Sequence, residues 1–170
     1  AAAGPEFIYY PVFIPLGSLL TNTAATIPGL EGVILSGADG IQSPDFLNHT
    51  GGTSDGMYVS GPDLNFAGGF YQEEFIPSYI AKYGTEPTAP FHAHAFDATS
   101  MSLVAVEEVA QQGSDGTLRI GRLALRDALS ATEGMEGVTG TFSCDENGVC
   151  ADPKIAVSQV QDGEFSAVWP

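Results

Sequence analysis

The residues whose types and spacing could do chemistry are few. Asp39 is the first, the only charge in the turn that closes the stretch Val33–Gly40 (Val-Ile-Leu-Ser-Gly-Ala-Asp-Gly). The apolar run before it is short and branched, which predicts a buried strand. Gly37, Ala38 and Gly40 let the backbone turn and let another molecule approach closely. In an open parallel sheet, ligands bind just beyond the carboxyl ends of the strands. Asp39 is therefore placed to meet a cationic group. The competing reading is a helix cap, but Ser43-Pro44-Asp45 offers a better one, with Ser43 at N-cap and Pro44 at N1.

His92 and His94 are two apart, with Asp97 nearby. On a strand the two imidazoles share a side, a spacing suited to a metal. A metal-dependent hydrolase with His92, His94 and Asp97 as ligands follows as one enzymatic reading. Against it, His49 is the only other histidine. An isolated His-x-His is more often a satisfied polar pair at a surface or hinge. No Gly-x-Ser-x-Gly elbow and no Gly-rich phosphate loop with a lysine occurs in the sequence. Asn48-His49-Thr50 matches a glycosylation acceptor, a triplet that also arises by chance. Arg122 and Arg126 could bind an anion or pair with surface acids.

Cys144 and Cys150 flank Asp-Glu-Asn-Gly-Val. Asn147-Gly148 is a tight-turn signal that brings the thiols together. A disulfide is the expected outcome and points to an oxidising compartment. A pair of free thiols is the alternative. A metal site would need a further cysteine or a nearby histidine.

The elements that must position these residues follow from the pattern. At 170 residues and 44% hydrophobic, the chain can bury a real core. It carries 21 acidic against 5 basic residues, a net charge of −16. That balance disfavours nucleic acid and anionic membrane as partners. No segment has the length and apolarity of a membrane span, and no signal peptide is evident. Strands are expected over Phe7–Phe13, the Val33 stretch, 57–60, 91–96, 138–144, 155–160 and 165–169. Helices are expected over 16–27, 44–48, 66–83, 97–112 and 120–131. Pro77 predicts a kink or two abutting helices within 66–83. In that stretch Phe66, Phe70, Ile76, Tyr79, Ile80 and Tyr83 define an expected core face. The alternation predicts an α/β fold of three layers with a mainly parallel sheet.

Several pieces, in order and spacing, resemble the C-terminal half of the type I periplasmic binding proteins, in particular the branched-chain amino-acid receptors of ABC transporters. They are FIYYPVF, VILSGADGIQSPDFL, GMYVSGP, YIAKYGTEP, AFDA, LALRDALSAT, GVTGTFSCDENG and the closing QVQDGEF. The resemblance implies two α/β lobes joined by crossing strands around a ligand cleft, of which this chain holds only part. Residues 7–86 would belong to the second lobe and 90–136 to the first. Residues 137–170 would supply crossing strands and a C-terminal hairpin. Most of the first lobe is missing from the sequence, so a piece of a longer receptor is expected, and half a cleft should bind weakly. Residues 1–6 would be either a cloning remnant or the tail of a preceding helix.

The same resemblance places Asp39 where the family pairs an acid with the ligand's ammonium. Phe13 falls at the mouth of its strand, where an aromatic often packs on the ligand; plain core packing is the alternative. His94 would line the cleft. The implied function is capture of a small amino acid or related amphiphilic carboxylate and its delivery to a membrane permease, with no catalysis and no cofactor. The implied location is periplasmic or extracellular, with a lipid anchor through the missing N-terminus as one arrangement. A ligand-sensing domain of the same fold is the alternative within the family.

Overall fold

Phe-Ile-Tyr-Tyr at 7–10 is a run of aromatic and β-branched residues that suits an extended backbone, and Pro11 cannot donate to a ladder, so the strand stops before it. In the computed structural model this is β1 (Phe7–Tyr10). Residues 1–66, 69–151 and 154–170 are described. They form two compact units. The first comprises Ala1–Leu64, Thr88–Pro90 and Lys154–Pro170, and the second Asn65–Pro87 and Phe91–Pro153. The stretch expected as one portion over 7–86 is thus divided after Leu64.

In the first unit, β1 is followed by α1 (Ile14–Ala24), β2 (Ile34–Gly37), α2 (Pro44–Thr50) and β3 (Tyr58–Pro62). The chain returns to this unit as β8 (Ile155–Gln161) and β9 (Glu164–Trp169). The sheet order is β1-β2-β3-β8-β9. β1, β2 and β3 pair in parallel, with Tyr10 in register with Gly37 and Gly37 with Val59. β8 opposes β3, and β9 opposes β8 in turn. Four of the five strands therefore run the same way. Asp162 and Gly163 take positive φ at the β8–β9 turn. The core of this unit is Tyr10, Ile41, Phe46, Met57, Val59 and Val160. Tyr10 also ties the sheet to α1, its hydroxyl 2.7 Å from Thr21 Oγ1 inside the core. Burial raises the Tyr10 pKa, partly opposed by that hydrogen bond. A neutral phenol that keeps a partner is compatible with such a site.

The second unit opens with a π-helical turn over Tyr71–Phe75 that runs into α3 (Ile76–Tyr83). Pro77 sits in the first turn of α3, so the predicted break takes the form of two abutting segments. Gly84 caps α3 with φ +77°, its N–H donating to Ile80 O. The expected core face of 66–83 is corrected, because no residue of these two segments is buried. Its rings pack on one another instead. Within the predicted 66–83 helix, residues 67 and 68 lie outside the described residues.

A second correction concerns Phe91–Phe96, which is helical, not extended. α4 runs from His92 to Val109. Its early end frees Gln111–Gln112 (β4) to pair with Leu118–Arg119 (β5). α5 (Arg122–Ser130) follows. The strand expected over 138–144 is reduced to Thr141–Phe142 (β7), paired with Met135–Glu136 (β6). Gly140, at φ +131°, turns the chain between these two strands. Among the described residues, no helix is long and apolar enough to cross a membrane.

Candidate functional site

β1 and β2 end side by side, so the loops that leave them emerge at one end of the sheet. The first loop carries Phe13, which takes extended backbone at the N-cap of α1 without a side-chain cap bond. Phe13 is 77% exposed and lies outside the core of this unit. The second loop turns through Ala38 into a single 3-10 turn, Asp39–Ile41. Asp39 O accepts from Gln42 N at 3.0 Å. The Asp39 carboxylate is exposed and has no hydrogen-bond or ion-pair partner among the described residues. It is not the cap of α2, because Ser43 takes that role and accepts from Asp45 N at 3.3 Å.

Gly40 is where the two loops meet. A Cβ there would lie 2.9 Å from Val12 O and 3.1 Å from the Phe13 ring. Its backbone is not in the left-handed region, so what it supplies is room. Any side chain would push the loops apart and move Phe13.

Gln42 lies beside this turn and was not singled out from the sequence. It is 91% buried, and its Oε1 has no hydrogen-bond partner. A buried carbonyl oxygen without a donor calls for one. The one available signal was a polar residue just before a Ser-Pro cap, and nothing in the pattern marks it as buried.

His94 belongs to the second unit. Its ring packs edge-on against Phe91, with centroids 5.5 Å apart. Burial lowers its pKa, an effect partly opposed by Asp97 and reinforced by His92. Its Nδ1 is buried and unpartnered. His94 also lines a cavity of about 210 Å³, together with Met101, Thr139, Phe142 and Cys150.

The metal reading of His92 and His94 required a strand. On the helix actually formed, residues two apart diverge by roughly 200°. His92 Nε2 lies 2.6 Å from the Tyr71 hydroxyl. Asp97 is 2% exposed and accepts from Val138 N, Thr139 N and Thr139 Oγ1 at 2.7–2.8 Å. It fastens the loop before β7. Among the described residues, no group of three His, Cys, Asp or Glu side chains is placed to hold a metal ion.

Cys144 and Cys150 form a disulfide. The turn between them is held by Asp145, which accepts from Asn147 N and Val149 N. Those hydrogen bonds hold the Asp145 carboxyl below its ordinary range, the Val149 bond foremost. Arg126 pairs with Asp127 at the surface, 2.9 Å apart.

No protein-family model and no curated protein matches the sequence. Solved structures do match its shape. A leucine-binding protein from Thermotoga maritima superposes with a TM-score of 0.75 at 22% identity, over 98% of this chain and 44% of that one. The fold is that of a type I periplasmic binding protein. A branched-chain amino acid transporter substrate-binding protein from Streptococcus pneumoniae, solved with isoleucine, gives 0.71 at 20% identity over 97% of this chain and 45% of that one. An ABC-transporter substrate-binding protein from Desulfitobacterium hafniense, solved with leucine, gives 0.67 at 19% identity over 98% of this chain and 44% of that one. The chain therefore spans a little under half the length of each of these proteins and carries part of their fold.

Proposed function

We propose that this chain is part of an extracytoplasmic solute-binding receptor of an ABC transporter, that it is not an enzyme, and that it takes a small amino acid or a related amphiphilic carboxylate. The observation that carries the proposal is Asp39, an unpartnered carboxylate in a glycine-flanked turn beyond the carboxyl end of a parallel strand. Its role is to pair with the ligand's ammonium in a charge-assisted hydrogen bond. Phe13 offers the apolar face on which the ligand's side chain packs, and Gly40 keeps the approach open. For His94 the proposal is confined to its own cavity, where Nδ1 accepts a hydrogen bond from an entering N–H or O–H.

The disulfide fits an oxidising, extracytoplasmic setting. A membrane permease is the partner this role requires. The test is a calorimetric titration of the full-length protein with leucine and with its deaminated analogue, 4-methylpentanoate. Leucine is expected to bind the wild type and to lose most of its affinity for Asp39→Asn. Equal binding of both compounds, or no effect of the substitution, would refute the role of Asp39.

A further inference from the structure

The second unit carries a groove that the amino-acid reading does not use. It has a volume of about 600 Å³ and lies between the Tyr71–Tyr83 segments and the start of α4. That is the size of a ligand site, not of a packing defect.

Two stripes run along its helical wall at a spacing of four residues. Phe75, Tyr79 and Tyr83 form a ladder of rings, with successive centroids 6.1 and 4.6 Å apart. Glu74, Ser78 and Lys82 form the adjoining stripe. Phe96 closes the far side, its centroid 5.2 Å from that of Phe75. The rings remain open to solvent, Tyr83 at 58% and Phe96 at 38%. Favourable placement against the helix dipole explains the signs of Glu74 and Lys82. Between them the wall presents aromatic faces, not further charges.

We propose that this groove binds a short peptide of three or four residues with free termini and an aromatic side chain in the middle. Glu74 and Lys82 are eight residues apart, which is about 12 Å along a helix. An extended peptide advances about 3.3–3.6 Å per residue. Three or four residues therefore place the terminal ammonium at Glu74 and the terminal carboxylate at Lys82. A single amino acid cannot reach both, because its charges sit on one carbon. Neither groove charge is spent elsewhere: Glu74 and Lys82 form no ion pair among the described residues, and Lys82 Nζ lies over the Tyr83 ring, 5.3 Å from its centroid. The middle side chain stacks on Phe75 and Tyr79. Ser78 lies between the charges, opposite the peptide backbone.

The test is an NMR titration of the full chain with Ala-Phe-Ala, its N-acetylated form, its C-amidated form and free phenylalanine. The tripeptide is expected to shift the resonances of the groove rings saturably. Blocking either terminus is expected to weaken binding about fivefold, the worth of one exposed ion pair. Glu74→Gln abolishes the preference for the free amine only, and Lys82→Met the preference for the free carboxylate only. Both side chains are exposed, so the variants keep the fold. Failure to saturate, equal binding of phenylalanine, or capping effects that survive both substitutions would overturn the proposal. None of these outcomes touches the Asp39 turn, which lies in the other unit.

Discussion

Removing the Asp97 carboxylate strands the Val138 and Thr139 N–H groups, which have no other acceptor in their loop. Each abandoned donor costs about 1–3 kcal/mol. Asp97→Ala is therefore expected to destabilise the protein by about 3 kcal/mol, and Asp97→Asn by roughly half that, as measured by urea unfolding. His94 makes the opposite kind of demand. Its pKa is lowered by burial, so the unfolded chain takes up the proton first as pH falls. Stability is then lost from the ordinary imidazole range down to the lowered value and is constant below it. His94→Gln is expected to flatten the melting temperature between pH 7 and pH 5, and an unchanged slope would refute this. The turn that exposes the Asp39 carboxylate was legible because small residues around one charge, after an apolar run, leave few readings. The surroundings of His94 were not legible. Phe91 stands one helical turn away, on a helix whose start the local pattern did not announce, and the Cys150 loop comes from distant sequence.

At the scale of elements, caps and breakers were the readable features. Ser43-Pro44 starts α2 as its chemistry dictates. Ser43→Ala is expected to cost about 0.5–1 kcal/mol in the same denaturation experiment. Pro77 falls in the first turn of α3, behind a π turn that needs no bond from it. Pro77→Ala is thus expected to change stability by less than about 1 kcal/mol. A proline trapped in a regular helix would instead yield a gain near 3 kcal/mol when replaced. The early part of α4 was unreadable for a physical reason. Its first residues, His-Ala-His-Ala-Phe, alternate with period two, and Phe91 offers no side-chain cap. Local pattern spoke for a strand there, and packing against the Tyr71–Tyr83 segments prevailed. The short pairs β4–β5 and β6–β7 have two residues per strand, too few for any period to register.

For the whole molecule, alternation of apolar strands and helices predicted an α/β fold, and order and spacing of motifs predicted the kind. The mainly parallel sheet of the first unit and its likeness to the leucine-binding protein agree. The division after Leu64 was hidden, because Gly61-Pro62 reads only as the end of a strand and the residues after Leu64 read as the start of the next helix. Net charge −16 disfavours a ligand with net negative charge and leaves a net-neutral zwitterion unpenalised. The central claim is that Asp39 meets that ammonium. It is tested most directly by thermal shift on the full-length protein, wild type and Asp39→Ala, against amino acids and their deaminated acids. A ligand at a hundred times its dissociation constant adds about 2.7 kcal/mol, a shift easily seen. Branched-chain amino acids are predicted to raise the melting temperature of the wild type and not of the variant, with the deaminated acids inert on both. Equal stabilisation of both proteins, or stabilisation by the deaminated acids alone, would contradict the claim.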